Sequence, residues 1–452
     1  MLDTIRNVIK DKKVLVLGFG REGKSSLALI VKAGGYSTIA ISDQNEVTVP
    51  DGLEEYVDKY FSGKDYQECI KEYDVIFKSP GIVLKYQPGE FAGRLVSQTE
   101  LFFERYRNQI IGVTGTKGKS TTTTLIYHIL KNAGYDTVLA GNIGIPAFDI
   151  WDKINENTII AFEMSSHQLE YMTVAPHTAV YLNIHEEHLD HYGTMEKYVR
   201  AKENIYRNQS EDDVLFVNEQ IAPDKSECTA QVVTVGYNDA MICIEGENII
   251  CRDVSGAAVD TYTIPADEIK LLGTHNYYNI AVAYGVLKMF GINKEQFTKG
   301  LVTYETLPHR LQYIGCVDGI KYYDDSISTI CDTTIQALKS VKDVSTIIIG
   351  GMDRGIDYKE LIEFLSEHPV ENIILMAATG KRIFDEINSD YPTFKAKDRI
   401  HPVETLSEAV ELAGNITPQG RSCVMSPAAA SYGIFKNFEE RGEVFNRLVH
   451  RQ

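Results

Sequence analysis

Short, wholly apolar runs of four or five residues recur along the chain, separated by longer stretches in which apolar positions return every three or four residues. Lys13-Val14-Leu15-Val16-Leu17, Asp74-Val75-Ile76-Phe77, Thr158-Ile159-Ile160-Ala161-Phe162, Thr178-Ala179-Val180-Tyr181-Leu182, Thr346-Ile347-Ile348-Ile349 and Ser422-Cys423-Val424-Met425 read as strands covered on both faces. Strands of that kind, alternating with amphipathic helices, predict parallel α/β sheets. One region breaks the rhythm. From Val214 to about Pro265, β-like runs alternate with Gly, Asn and Asp turns and no long helix, which predicts a small antiparallel β element. The length, 452 residues, predicts roughly three domains. Motif positions place the boundaries near Asn108 and Pro308. The expectation is a Rossmann-like N-terminal domain at 1–107, a central P-loop-type domain at 108–308 that holds the antiparallel element, and a C-terminal α/β domain at 309–452.

The stretch Ile110-Ile111-Gly112-Val113-Thr114-Gly115-Thr116-Lys117-Gly118-Lys119-Ser120-Thr121 carries the strongest chemical signal. A strand enters a Gly/Thr loop and a helical run from Ser120 through Leu130 leaves it, so backbone N–H groups and a helix N-terminus meet in one small volume. That arrangement suits a polyphosphate, with Lys119 near its outer phosphates and the Ser120 hydroxyl near Mg²⁺. The loop departs from the strict Walker pattern at Val113, yet strand, loop, Gly-Lys-Ser and helix together point to ATP. A second loop, Gly18-Phe19-Gly20-Arg21-Glu22-Gly23-Lys24-Ser25, satisfies both the strict Walker pattern and G-x-G-x-x-G. Asp43 follows Gly23 by 20 residues at the end of the next apolar run, where a Rossmann-type site places an acid against a ribose or a base. Two such loops, about 95 residues apart, imply two nucleotide-bearing ligands in successive domains.

Composition narrows the class. A net charge of -18 opposes broad binding to nucleic acid or to an anionic membrane. The seven cysteines are scattered without a C-x-x-C pair, no apolar run reaches the ~18 residues of a membrane span, and Met1–Lys13 is too charged for a signal peptide. These features describe a soluble, reduced, cytoplasmic protein, taken here as a monomer.

Four further clusters follow the ATP loop. Glu163-Met164-Ser165-Ser166 puts a carboxylate and hydroxyls just beyond a strand, the edge at which α/β sheets bind ligands, and one carboxylate plus phosphates suffices for Mg²⁺. The bland alternative for Glu163 is a solvated strand-end acid. His185 to His191 holds three His and three acids in seven positions, without a nearby Cys or an H-x-x-x-H pair. A zinc site is thereby disfavoured against a Mg²⁺ ligand with polar contacts to phosphate. Lys202 alone reads as a surface lysine. Asn276 and Asn279 lie one helical turn apart, where their amides suit either a base edge or a helix cap.

Together these segments resemble the Mur ligases of peptidoglycan synthesis over essentially the whole chain, and within them the members that add D-glutamate. The resemblance rests on T-G-T-K-G-K-S-T at 114–121, G-N-I-G at 141–144, E-M-S-S-H-Q-L-E at 163–170, N-I-H-E-E-H-L-D at 183–190, the lysine of R-A-K-E-N at 202, H-N-Y-Y-N at 275–279 and L-P-H-R at 307–310. D-D-S at 324–326, G-G-M-D-R-G at 350–355, S-P-A-A-A-S at 426–431 and F-K-N-F-E-E-R-G at 435–442 extend it, with S-P-G-I at 79–82 and T-E-L-F at 99–102 in the first domain.

The resemblance implies ATP-dependent ligation of D-glutamate to UDP-N-acetylmuramoyl-L-alanine through an acyl phosphate. Gly115, Thr116, Lys117, Gly118, Lys119, Ser120 and Thr121, with Asn276, Asn279, Arg310 and Asp325, would bind ATP. Gly18, Gly20, Gly23, Asp43, Ser79, Pro80 and Gly81, with Asn142 and Ser165, would meet the UDP-linked substrate. Ser120 and Glu163 would serve one of two Mg²⁺ ions and His188 the other, with Lys202 as a carbamate, a CO₂ adduct that turns a lysine into an anionic ligand. Lys119, Glu163, His188 and Lys202 would form the catalytic set. Thr329, Arg354, Ser431 and Phe438 would hold the amino acid.

Two positions depart from the family pattern. Its D-S-K-x-T reads Asp325-Ser326-Ile327-Ser328-Thr329, and His167 replaces a customary Phe. Loss of a cation at 327 keeps L-glutamate, or another amino acid, open as the acceptor. Two other classes leave motifs unused. An NAD-dependent oxidoreductase built on Gly18–Gly23 has no use for the second loop, and a nucleotide-binding switch has none for Arg354 or the 426–442 motifs. A folylpolyglutamate synthetase shares only the ATP motifs.

Overall fold

The first hundred residues lay down five parallel strands. The computed structural model describes residues 1–368, 370–395 and 397–451. Here β1 (Lys13–Leu17), β2 (Thr38–Ser42), β3 (Lys59–Phe61), β4 (Val75–Lys78) and β5 (Arg94–Val96) stand in the order β3-β2-β1-β4-β5. The strand order reverses at β1, so the loops after β1 and β4 open side by side at the carboxyl edge, where sheets of this kind bind ligands.

The second sheet is built around β6 (Ile110–Thr114), all five residues of which are buried. With β7 (Thr137–Gly141), β8 (Ile159–Glu163), β9 (Thr178–Tyr181), β10 (Val214–Asn218), β11 (Gln231–Gly236), β12 (Ile242–Glu245), β13 (Asn248–Arg252) and β14 (Ala258–Thr263) it forms nine strands ordered β14-β13-β12-β11-β10-β9-β6-β8-β7. The expected antiparallel element is present but smaller than the turn-rich stretch suggests. β10, β11 and β12 run parallel to the main sheet, and only the β12–β13 and β13–β14 pairings at its edge are antiparallel. The burial of β10 on both faces explains this, since a meander strand keeps one face wet. The helix Gln98–Tyr106 joins the two sheets into one core, its Phe102 and Phe103 packing on Phe162 of β8 with ring centroids 5.8 and 5.1 Å apart.

The third sheet holds β15 (Gln312–Val317), β16 (Ile320–Asp324), β17 (Val344–Gly350), β18 (Asn372–Met376), β19 (Ile400–Val403) and β20 (Ser422–Met425) in the order β15-β16-β20-β17-β18-β19. Only the β15–β16 hairpin is antiparallel. The chain divides into two compact units, Met1–Ala266 with Tyr278–Val302, and Asp267–Tyr277 with Thr303–Gln452. Among the described residues no helix is long and apolar enough to cross a membrane.

Candidate active site

The loop after β6 is held in shape before any ligand arrives. Gly118 takes φ +81° and starts the helix Lys119–Asn132, and a Cβ at Gly118 would lie 2.5 Å from Asn279 Oδ1, so this position admits only glycine without strain. Asn183, just beyond β9, clamps the loop. Its Oδ1 accepts from the N–H groups of Thr116 (3.1 Å) and Lys117 (2.8 Å), and its Nδ2 donates to the Lys117 carbonyl (3.0 Å). Thr116 Oγ1 lies 3.0 Å from the Tyr198 hydroxyl, and Lys119 Nζ donates to the Thr116 carbonyl at 2.8 Å. Asn279 accepts from Thr122 on the first turns of the same helix (3.2 Å).

Two buried ionisable groups stand beside this loop. Glu163, the last residue of β8, is 1% exposed. Its Oε1 accepts from Asn142 Nδ2 at 2.7 Å, while its Oε2 is buried with no hydrogen-bond partner among the described residues. An orphaned carboxylate oxygen is costly to bury, so it marks a position built for a cation or donor. Lys202, on the helix Met195–Arg207, is likewise 1% exposed and donates to the Gly115 carbonyl at 2.8 Å. Burial, aided by the like charge of Lys119, pulls the Lys202 ammonium down to about 7, so an uncharged amine is populated near neutral pH. The reading of Lys202 as a solvated surface lysine is thereby excluded.

Ser165 caps the short helix Ser166–Leu169 through a reciprocal box with Gln168. The helix points its second residue, His167, into a cluster of rings, with centroids 4.3 Å from His191 and 4.9 Å from His188. Burial first, then the neighbouring imidazoles, pushes His167 down to about 4, so it remains neutral. His191 pairs with Glu170 at 3.1 Å, and His188 sits at φ +58° with its ring partly exposed. Among the described residues no three His, Cys, Asp or Glu side chains are grouped as a metal-binding set.

At the carboxyl edge of the first sheet, Gly18 (φ +86°) packs its α-carbon against Ser79 and Ile82, and Ser79 Oγ donates to the Gly18 carbonyl at 2.7 Å. A Cβ at Gly23 would fall 2.2 Å from that same carbonyl. Asp43 accepts from the N–H groups of Phe19 (2.7 Å) and Asn45 (2.9 Å), and so braces the loop. The strict Walker match here is misleading, because Lys24 is exposed and Ser25 turns away to Asp149.

The second unit gathers its own polar centre. Asp325 accepts from Leu311 N (3.0 Å) and Ser426 Oγ (2.7 Å), and burial pushes its carboxyl up to about 6. Arg310 Nε is buried without a partner among the described residues, and Asn276 donates to the Leu272 carbonyl at 2.6 Å. Arg354 donates to the Thr329 carbonyl at 2.9 Å. Arg441 is fully buried; its guanidinium donates to Ser326 Oγ, the Ser326 carbonyl and the Ala429 carbonyl, at 3.0, 2.7 and 3.0 Å. Ser326 Oγ in turn donates to the Phe438 carbonyl, so one side chain ties together the segments that carry Ile327, Ser431 and Phe438. His309 pairs with Asp324 at 2.7 Å, a bond that raises its pKa.

Relatives decide what this machinery belongs to. The profile of the Mur ligase middle domain matches residues 113–287. A UDP-N-acetylmuramoylalanine–D-glutamate ligase of Acetivibrio thermocellus is 33% identical over 99% of this chain and 98% of its own. The chain belongs to the Mur ligases. The fold agrees: the UDP-N-acetylmuramate–alanine ligase MurC of Thermotoga maritima superposes with a TM-score of 0.60 at 18% identity, covering 97% of this chain and 99% of that one. MurF of the same organism, solved in complex with ADP, gives 0.56 at 16% identity, over 100% of this chain and 97% of that one. As a Mur ligase the chain is an ADP-forming, amide-bond-forming enzyme that uses ATP in peptidoglycan precursor synthesis.

In this Mur ligase the residues flagged by motif fall into three groups. Glu163, Asn142, Ser165, Lys202 and the Gly115–Thr121 loop border neighbouring strand ends of the second sheet. Gly18, Gly23, Asp43 and Ser79 converge on the first sheet. Asp325, Arg310, Thr329 and Arg354 lie in the second unit. Motif reading assigned no role to Asn183, Tyr198, Arg441 or Lys78, although the first and third stand inside quoted motifs. An Asn at a strand end and an Arg on an otherwise acidic helical turn are the signals available for those two.

Proposed function

We propose that this Mur ligase joins D-glutamate to the alanyl carboxyl group of UDP-N-acetylmuramoyl-L-alanine. The observation that carries the reading is Glu163 Oε2, a buried carboxylate oxygen beside the phosphate loop without a partner among the described residues, in a chain that a relative named for that activity matches over 99% of its length. The alanyl carboxylate oxygen attacks the γ-phosphorus of ATP, the bond to the β,γ-bridging oxygen breaks, and ADP leaves. The uncharged amine of glutamate then adds to the acyl phosphate carbon, phosphate departs from the tetrahedral adduct, and the amine proton is released.

Such transfers are governed by positioning and charge neutralisation. The Gly115–Thr121 loop takes the phosphates through the backbone N–H groups that Asn183 does not hold and through the Lys119 ammonium, and Asn142 and Ser165 orient the acyl substrate. Asn276, Asn279, Arg310 and Asp325 serve the nucleotide. Ser120, Glu163, His188 and a carbamylated Lys202 would hold two Mg²⁺ ions, whose chemistry is to offset the charge of triphosphate and carboxylate. The orphaned Glu163 oxygen and the depressed Lys202 amine fit that role, since an uncharged amine adds CO₂ with loss of a proton. Gly18, Gly20, Gly23, Asp43 and Ser79–Gly81 frame the UDP end, and Thr329, Arg354, Ser431 and Phe438 the amino acid. We assign these roles to domains at 1–107, 108–308 and 309–452.

Ile327, with its N–H bonded to the His309 carbonyl, stands where the family pattern has lysine, and it favours a test of both acceptors. Phosphate release and product mass are measured with ATP, Mg²⁺, UDP-N-acetylmuramoyl-L-alanine and either D- or L-glutamate. Turnover with D-glutamate alone is expected. Turnover with L-glutamate alone transfers the proposal to that acceptor, and silence with both overturns the assigned substrates.

A further inference from the structure

Lys78, the last residue of β4, is a buried ammonium without an ion-pair partner among the described residues. It is 5% exposed, and among the described residues its Nζ donates to backbone carbonyls alone, Pro80 at 3.0 Å and Ser79 at 3.4 Å, while lying 5.3 Å from the centre of the Tyr171 ring. Burial pulls it down to about 8, against the pull of Glu170 and Glu22. Glu22 shows the converse. One oxygen accepts from Gln168 Nε2 at 2.9 Å and the other is buried with no partner among the described residues. A cation and an anion, each incompletely satisfied, thus stand close enough to sense one another without pairing. Proteins seldom bury such groups without a use for them.

Lys78 borders a pocket, and Glu22 is bonded to Gln168 of its lining. Lys78, Pro80, Ser97, His167, Gln168 and Tyr171 line it. At one end is the Ser79–Gly81 loop beside Gly18. At the other is His167, whose ring reaches His188. Gln168 also ties Glu22 to Ser165, accepting from the Ser165 N–H at 3.0 Å. The pocket therefore lies between Pro80, in the loop that frames the UDP end, and His167.

We propose that Lys78 recognises the acylamino-sugar arm of the acyl substrate in this pocket, donating to an amide carbonyl or carboxylate of that arm, with Glu22 positioning Gln168 in the pocket wall. The proposal rests on the reading that the acyl substrate is a UDP-linked sugar peptide. The chemistry is matched: such an arm is rich in amide carbonyls and ends in a carboxylate, groups that accept from an ammonium.

The test compares binding of UDP-N-acetylmuramoyl-L-alanine with binding of UDP alone, by calorimetry on the full chain. Lys78→Met keeps the packing against Tyr171 and removes the charge; Lys78→Arg keeps the charge. Lys78→Met is expected to weaken the full substrate by about 10- to 100-fold, to leave UDP unchanged, and to be largely restored in Lys78→Arg. Glu22→Gln is expected to weaken only the full substrate, by about 3- to 10-fold, and it gives a reading that does not depend on the folding of the Lys78 variants. Equal losses toward UDP and the full substrate, or none toward either, overturn the proposal. If the unsubstituted protein holds the full substrate no better than UDP, the assigned substrate itself fails, and that outcome is visible before any variant is made.

Discussion

Lys202 Nζ donates to the Gly115 carbonyl at 2.8 Å, so a buried amine lies against the backbone of the phosphate loop. If it works as a carbamate, Lys202→Ala removes an anionic ligand and leaves a cavity of matching shape. Activity is expected to fall by about a hundredfold or more and to recover in part with millimolar formate or acetate. Phosphate release measures both. An alanine variant as active as the parent removes Lys202 from the mechanism.

Gly118 combines a left-handed backbone with a neighbour, Asn279 Oδ1, at 2.5 Å from where a Cβ would stand. Gly118→Ala therefore carries about 1–3 kcal/mol of backbone strain in addition to a clash. A raised KM for ATP and a lower Tm are expected. The double variant with Asn279→Ala should recover the clash but not the strain, so its Tm is predicted to lie between those of the parent and Gly118→Ala.

How far these features could be read in the chain depended on sequence distance. The phosphate loop and the glycine loop of the first sheet were legible, because strand, turn and helix follow one another within a dozen residues and each glycine answers a local need. Contacts made at long range were not. Arg441 meets Ser326 across 115 positions and Asn183 meets Lys117 across 66, and no periodicity announces either. The turn-rich stretch after Val214 misled for a related reason: its local chemistry is that of hairpins, yet tertiary pairing with β9 recruits β10 into the parallel sheet. Lys202 was opaque because helical position alone does not reveal burial.

Glu22 predicts a pH dependence of stability. Burial raises its carboxyl from an ordinary 4.5 to about 7 in the folded chain. A raised acid binds its proton more tightly when folded, so stability declines as pH climbs from about 4.5 to about 7 and the penalty is complete above that. Glu22→Gln removes the penalty. Its Tm is expected to exceed that of the parent at pH 8 and to match it at pH 4.5; equal melting curves at pH 8 contradict the assignment.

Arg441 holds two backbone carbonyls and a hydroxyl within the second unit. Arg441→Met leaves these acceptors buried and unpaired, at about 1–3 kcal/mol each before relaxation. Thermal melting is expected to show selective loss of the second unit. Where the variant is studied below its transition, KM for the amino acid should rise while nucleotide binding by the first unit is kept. A variant with unchanged melting and unchanged KM refutes the role.

The Asn183 clamp has a consequence for how nucleotide enters. Two N–H groups of the phosphate loop already have an acceptor in the Asn183 amide. The loop is therefore braced by the chain itself, and a triphosphate meets a rigid mould whose shape it does not have to create. Ordering entropy was spent when the chain folded, by a side chain some distance away in sequence, which leaves more of the contact energy of ATP available for affinity.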